Sequence, residues 1–258
     1  MTSPQLVTSK DNPLLKELRK LSQDGTAYRK AGRFWVEGDH LGRAALARGW
    51  RPAIAVLAES AWSAYGAEFG GVAARTVLLS DALFDSITGL EAPTRLGFVF
   101  DLPAEPGVQP GLPSVILDRV QDAGNVGSIL RSASAFGFKQ VIALKGTAAL
   151  WSPKVLRAGM GAHFALHLVE GMEAGALDGL SLPLLVTSSH EGEFIDRARL
   201  PWPCAWVMGH EGQGVSPALA ARATGMVRIA QPGGEESLNV AAAAAICLHA
   251  SAVAAEAQ

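Results

Sequence analysis

The stretch LDRVQDAGNVGSILRSASAFG, residues 117–137, reads as strand, loop and helix in succession. The apolar run SVIL (114–117) ends at Asp118, a polar turn carries Gly124 and Asn125, and small and apolar residues then recur at helical spacing. KQVIAL (139–144) follows as a second apolar run, and PLLVTS (183–188), CAWVMG (204–209) and MVRIA (226–230) repeat the pattern, each running into a loop or helix. Such alternation predicts an α/β unit with a parallel sheet covered on both faces. The chain closes with a helix expected from about Ser237 to Ala254, nearly apolar all round and therefore buried against a sheet, a knot or a second subunit.

Upstream, DLPAEPGVQPGLP (101–113) holds four prolines and two glycines without periodicity, the mark of an extended linker. Before it, Asp11 and Asn12 preceding Pro13 signal a helix start, and Leu14, Leu15, Leu18 and Leu21 recur at helical spacing. Strand-like runs begin at 34, 53, 72 and 95, with helical stretches around 39–48, 61–69 and 81–87, which makes a small α/β or α+β domain. The expected division is therefore a domain over 1–100, a linker over 101–113 and a second domain over 114–258, with no internal repeat.

A chain of 258 residues suits two domains, each with its own core. No apolar run reaches the roughly 18 residues of a membrane span, and MTSPQLVTSKDNP lacks the apolar segment of a signal peptide, so a cytoplasmic location is expected. Cys204 and Cys247 are the only cysteines, without C-x-x-C spacing, and are expected as reduced, buried thiols with no metal site. The net charge of -2 conceals an asymmetry: residues 1–52 hold ten Lys or Arg against five Asp or Glu. Lys16, Arg19, Lys20, Arg29, Lys30 and Arg33 belong to this basic end, which is either a solvated face or a phosphate-binding surface.

Three stretches ask for more than folding does, and each lies where a strand meets a loop, the usual ligand-binding edge of open α/β sheets. The first is 117–137, where Arg131 stands six residues after Asn125 on an otherwise small and apolar helix, either with its stem packed and its head in water or paired with Asp118 or Asp122, or else serving a site. The second is WVMGHEGQGVS (206–216), a strand entering a turn with Gly209, Gly212 and Gly214 around Glu211, and Ser216-Pro217 beyond. Its order is not the dinucleotide fingerprint, the phosphate-loop lysine is missing, and no second His follows for zinc. The third is VRIAQPGGEESLNVAAAAAICLHA (227–250), in which a strand passes Pro232, Gly233 and Gly234 to Ser237, Leu238 and Asn239 at the mouth of the last helix. Ser237 reads as an N-cap, whereas Asn239 either caps a loop or addresses a ligand.

In this order the three stretches resemble the three motifs of the SpoU (TrmH-like) family of SPOUT methyltransferases: N-x-G-x-x-x-R with a trailing F-G, then G-x-E-G, then S-L-N-V. The resemblance covers 114–250, including SPKVLRAGMGAHF (152–164), while RFWVEGDHL (33–41) lies in a part similar to the family's ribosomal-protein-L30e-like substrate-binding domain. Ala230 stands where Pro is usual, Ala241 where Ser often follows N-V, and Gly159 where Ser is common.

The resemblance implies a deep C-terminal trefoil knot, S-adenosylmethionine held largely by backbone groups at Gly209, Ile229 and Leu238, and methylation of an RNA ribose 2′-hydroxyl without a metal. It implies that Arg131 is the essential arginine, that Asn125 and Glu211 shape the site, and that Ser237 and Asn239 orient the ribose or support Arg131. A guanidinium, which rarely gives up its proton, suits charge stabilisation or a phosphate grip better than proton abstraction. The implied partners are RNA, ribosomal RNA ahead of transfer RNA, and a second copy packed through the knotted domain, with the basic N-terminal residues and Arg157 as RNA contacts. A catalytically silent RNA-binding or assembly protein on the same fold is the rival reading, and a methyltransferase for small molecules or proteins another. Five motif polar residues argue against the first and the basic N-terminal domain against the second.

Overall fold

In a computed structural model, residues 4–104, 107–188, 191–233 and 237–256 are described, and the chain falls into two compact units. One comprises Met1–Ala104 with Trp151–Phe164, the other Glu105–Leu150 with Ala165–Gln258.

In the first unit β1 (Gln5–Val7) precedes α1 (Pro13–Gln23). The Asn12 side chain accepts the Leu14 N–H at 2.9 Å, Pro13 takes the first helical position, and Leu14, Leu15, Leu18 and Leu21 are buried as their spacing requires. There follow α2 (Ala27–Ala31), β2 (Arg33–Glu37), α3 (Asp39–Ala47), β3 (Ile54–Ala58), α4 (Glu59–Phe69), β4 (Arg75–Leu79), α5 (Asp81–Asp85) and β5 (Leu96–Asp101). The sheet order is β1-β4-β3-β5-β2, parallel through β1, β4 and β3 and antiparallel at β5 with both β3 and β2. The three-residue β1 and the five-residue α2 were not expected, both being too short to show a period.

The second unit opens with β6 (Ser114–Leu117), α6 (Ala123–Ala135) and β7 (Gln140–Leu144). The chain then departs from the linear division at 101–113. Residues 151–164, with α7 (Pro153–Gly159), cluster with the first unit because Trp151 packs on Phe34 and Trp50, and Phe164 on Trp50 and Phe100. Gly159 fits here because a Cβ at that position would run into the His163 ring.

The second unit resumes with β8 (His167–Met172), β9 (Leu184–Thr187), β10 (Glu193–Phe194), β11 (Ala205–Met208), α8 (Pro217–Ala220), β12 (Gly225–Arg228) and α9 (Val240–Glu256). Its seven strands run in the order β10-β12-β9-β11-β6-β7-β8, every pair parallel. β6, β7 and β11 are buried along their whole length, as a sheet covered on both faces demands. Ile116, Ile142, Val186 and Val207 share one face with Leu177, Leu180 and Leu219, while α9 lies against β11 on the other. The Gln140 carboxamide, buried in β7, accepts from Gln109 N–H (2.8 Å) and donates to Gln109 C=O (3.1 Å) and Ser114 Oγ (2.9 Å). The described end of the Pro/Gly-rich stretch is thus bonded to the second sheet.

The last helix begins at Val240, three residues beyond the expected start. Asn239 Oδ1 accepts the N–H groups of Ala241 (2.9 Å) and Ala242 (3.2 Å), so Asn239 rather than Ser237 caps it. Farther along, Ser251 Oγ accepts the buried Trp206 indole N–H at 2.9 Å. Burial pushes the neighbouring Cys204 thiol up to about 11 and the Cys247 thiol up to about 12, so both stay protonated. Ser251→Ala leaves the Trp206 donor buried and unsatisfied, and we expect a loss of about 1–3 kcal/mol in urea unfolding with the sheet otherwise intact.

Candidate active site

Site residues gather at the carboxyl ends of β6, β11, β9 and β12. A cavity of about 730 Å³ is lined by Thr187 at the end of β9 and Ser188 after it, Met208–Val215 through and after β11, Ile229 and Gln231 after β12, and Ser237–Val240 with Ala243 at the start of α9. Gly209, Ile229, Leu238, Glu211, Ser237 and Asn239 thus line one space. Gly234 lies outside the described residues. Gly209 has no room for a Cβ, which would overlap the backbone of Gly214 and Val215 where the chain doubles back.

The glycine-rich loop after β11 is tied along its length to the loop after β6. Asp118, buried at 3 % exposure, accepts the Ser216 N–H at 2.6 Å and the Arg119 Nε–H at 3.1 Å. Arg119 sits in left-handed backbone at φ 62°, held by its N–H bond to Thr147 Oγ1 (3.1 Å), and extends Nη1 to Gln213 Oε1 (2.9 Å). Glu211 accepts the backbone N–H groups of Gln121 (3.2 Å) and Asp122 (3.1 Å) and the Asn125 side-chain amide (3.2 Å). Asn125 Oδ1 in turn accepts from Asn239 Nδ2 at 2.9 Å, so one hydrogen-bonded chain joins all three motifs. Partial burial pushes the Glu211 carboxyl up, but the bonds from Asp122, Asn125 and Gln121 outweigh it and leave the carboxyl below the ordinary range.

Arg131 stands apart from this chain. It lies on the exposed stripe of α6 with Gly124, Ser128 and Ala135, about 9 Å along the axis from Asn125. It does not line the cavity and makes no hydrogen bond or ion pair among the described residues. The pairing with Asp118 or Asp122 considered above does not occur: Asp118 takes Arg119, and Asp122 caps α6 by accepting the Asn125 N–H.

The basic N-terminal residues divide likewise. Arg19 is spent on Ser86, whose C=O and Oγ it reaches at 3.3 and 3.2 Å, and Arg33 pairs with Asp101 (2.9 Å) and Glu17 (4.0 Å). Lys16, Lys20, Arg29 and Lys30 are exposed, Lys16 within 3.8 Å of Asp11, and Arg157 is half-buried. Sequence reasoning passed over Arg119, Thr147 and Gln213, which act through loop geometry that no period reveals. Gln231 stood in the third motif without comment. Among the described residues no three His, Cys, Asp or Glu gather as a metal site would require, and no helix is long and apolar enough to cross a membrane.

Residues 113–249, more than half of the chain, match the family described as SpoU rRNA methylase. The chain belongs to that family. A relative, the 23S rRNA (guanosine(2553)-2′-O)-methyltransferase RlmP of Bacillus subtilis, is 28% identical over 94% of this chain and 97% of its own. An uncharacterized tRNA/rRNA methyltransferase of Synechocystis is 32% identical over 94% of this chain and 92% of its own. The fold is similar to that of an AdoMet-bound rRNA methyltransferase from Sinorhizobium meliloti, with a TM-score of 0.81, 27% identity, and coverage of 96% of this chain and 97% of that one.

The Asp118 carboxyl is pushed up by burial and pulled down further by the Ser216 N–H and Arg119, for a net position below the ordinary carboxylate range. A lowered folded pKa adds stability that is complete above the unfolded value, about 4, and is lost as pH falls through the folded one. Asp118→Asn should therefore cost about 1–3 kcal/mol in urea unfolding at pH 7. The gap between wild type and variant should close progressively below pH 4.

Proposed function

We propose that this SpoU-family chain methylates a ribose 2′-hydroxyl of RNA, with S-adenosylmethionine as methyl donor and ribosomal RNA as the favoured substrate. The observation that carries the reading is the hydrogen-bonded chain Asn239–Asn125–Glu211 at the mouth of the cavity, since a binding protein has no need to hold three motif residues in mutual register. The names of the relatives from Bacillus subtilis and Sinorhizobium meliloti support ribosomal RNA.

The cavity suits the donor. Its volume lies in the range of small-molecule sites, and it offers apolar Met208, Ile229, Leu238 and Val240 beside polar groups. Gly209, Ile229 and Leu238 would hold the donor, which supplies an electrophilic methyl group when bound. The protein's own part is positioning and electrostatics. Glu211 and Asn125 keep the two loops in register, Asn239 joins them to α9, and Ser237 presents a hydroxyl to orient the ribose. The Arg131 guanidinium stabilises the 2′-oxygen as it loses its proton or grips the adjacent phosphate.

Two further features complete the reading. The C-terminal segment is threaded as the trefoil knot of its family, and the first unit is an L30e-like platform on which Lys16, Lys20, Arg29, Lys30 and Arg157 meet phosphates. The enzyme works in the cytoplasm as a homodimer. Ala242, Ile246, His249 and Val253 form an exposed, largely apolar stripe on α9, with Ile246 39% and Val253 52% exposed, and a second copy covers it. An arginine that does not line this cavity from its own chain is consistent with a site completed on dimerisation.

Incubation with labelled S-adenosylmethionine and total RNA from a strain lacking the gene should label one 2′-O-methyl site. Arg131→Ala should lower the rate at least about 100-fold while donor binding persists. Donor binding with no transfer to naked or ribosome-bound RNA would support the silent RNA-binding reading instead. In sedimentation equilibrium the wild type should be a dimer at micromolar concentration, and Ile246→Asp with Val253→Asp should make it monomeric. A monomeric wild type would remove the dimer from the proposal.

A further inference from the structure

Arg119 carries a side chain where the backbone favours none. Its φ of 62° lies in the left-handed region, which is costly for any residue but glycine, so a side chain persists there only where its contacts offset the strain. The neighbouring residues are fitted to it. A Cβ on Gly146 would come within 3.1 Å of Arg119 Cγ, so that glycine leaves room for the stem. Thr147 Oγ1 accepts the Arg119 backbone N–H at 3.1 Å while donating to the Leu117 C=O at 2.9 Å.

The guanidinium divides its donors between two tasks. Nε donates to the buried Asp118, and that bond serves stability. Nη1 donates to Gln213 Oε1 at 2.9 Å, an exposed bond for which water competes and which adds little to stability. What the second bond fixes is position. Gln213 belongs to a turn closed by reciprocal backbone bonds between His210 and Gly214, at 3.0 and 2.8 Å, and the Gly212 N–H donates to His210 Nδ1 at 3.0 Å. His210 to Gly214 all line the cavity, whereas Asp118 and Arg119 do not. A hold on Gln213 is therefore a hold on the cavity wall.

We propose that Arg119 is a positioning residue for the methyl donor, fixing through Gln213 the turn that walls the cavity. On the functional reading given above, on which this inference rests, the donor occupies that cavity, and a wall fixed beforehand loses less freedom when the donor arrives. The task calls for the fork of a guanidinium, which meets Asp118 with one nitrogen and Gln213 with another. Lysine has a single nitrogen, enough to keep the buried carboxylate paired but without the fork. Arg119→Lys thus separates the stabilising bond from the positioning one.

The test is calorimetric binding of S-adenosylhomocysteine to the full-length wild type, Arg119→Lys, Gln213→Leu and the double variant. Arg119→Lys should bind about fivefold more weakly than the wild type, the factor that one net hydrogen bond supplies, with urea unfolding of the empty protein unchanged. Gln213→Leu, which removes the acceptor, should lose a similar factor. The double variant should bind no more weakly than the weaker single variant, because both changes cut the same link. Wild-type affinity in Arg119→Lys, or losses in the single variants that multiply in the double one, overturns the positioning role of Arg119 and leaves the cofactor reading standing. Failure of the wild type to bind S-adenosylhomocysteine at all overturns both.

Discussion

A buried carboxylate holds the site in shape. Asp118 ends β6 inside the protein, where a charge persists only if it is fully paired, and its two partners come from opposite directions. Ser216 brings the far end of the glycine-rich loop, and Arg119 brings the middle of that loop through Gln213. With Glu211 tied to Gln121, Asp122 and Asn125, the loop after β11 is fixed at three points to the loop after β6. Those loops leave adjacent parallel strands, so the sheet register sets their spacing and the side chains need only close it.

The solvent-facing part of the arrangement works differently. Glu211 and Asn239 are exposed, so their bonds contribute little to stability and act mainly as geometry. Asn239 joins two tasks in one amide. Its oxygen accepts from the first turn of α9 while its nitrogen donates to Asn125, which couples the start of a 17-residue helix to the first motif. Aspartate in its place could cap the helix but would set a carboxylate oxygen against the Asn125 Oδ1 acceptor, with no proton to donate. That requirement for both an acceptor and a donor is a physical reason for asparagine there.

Much of this was legible from residue order. The strands of the second sheet that begin at 114, 140, 184, 205 and 225 follow from apolar runs, and Gly209, Ile229 and Leu238, singled out by the family resemblance, come together on one cavity. What escaped has specific causes. Residues 151–164 read as part of the second domain because sequence proximity says nothing of which aromatic cluster, here Phe34, Trp50 and Phe100, a tryptophan will join. Ser237 took the capping role on paper because hydroxyls and amides are nearly equivalent caps, and which one serves depends on the approach of the chain. Arg19 and Arg33 counted towards a basic surface, although their guanidiniums are turned to Ser86 and to Asp101 and Glu17. A charge tally cannot see such internal consumption.

Arg131 and Gln231 are opposite cases of the same principle. Arg131 has no hydrogen-bond or ion-pair partner among the described residues and lies exposed to solvent, a state that costs little and leaves the guanidinium available to an anion arriving from outside. Gln231 carries a buried side-chain oxygen with no hydrogen-bond partner among the described residues, a state that costs free energy. The first arrangement suits an anion bound transiently through charge, since an exposed cation is desolvated little on contact and its attraction is screened by salt.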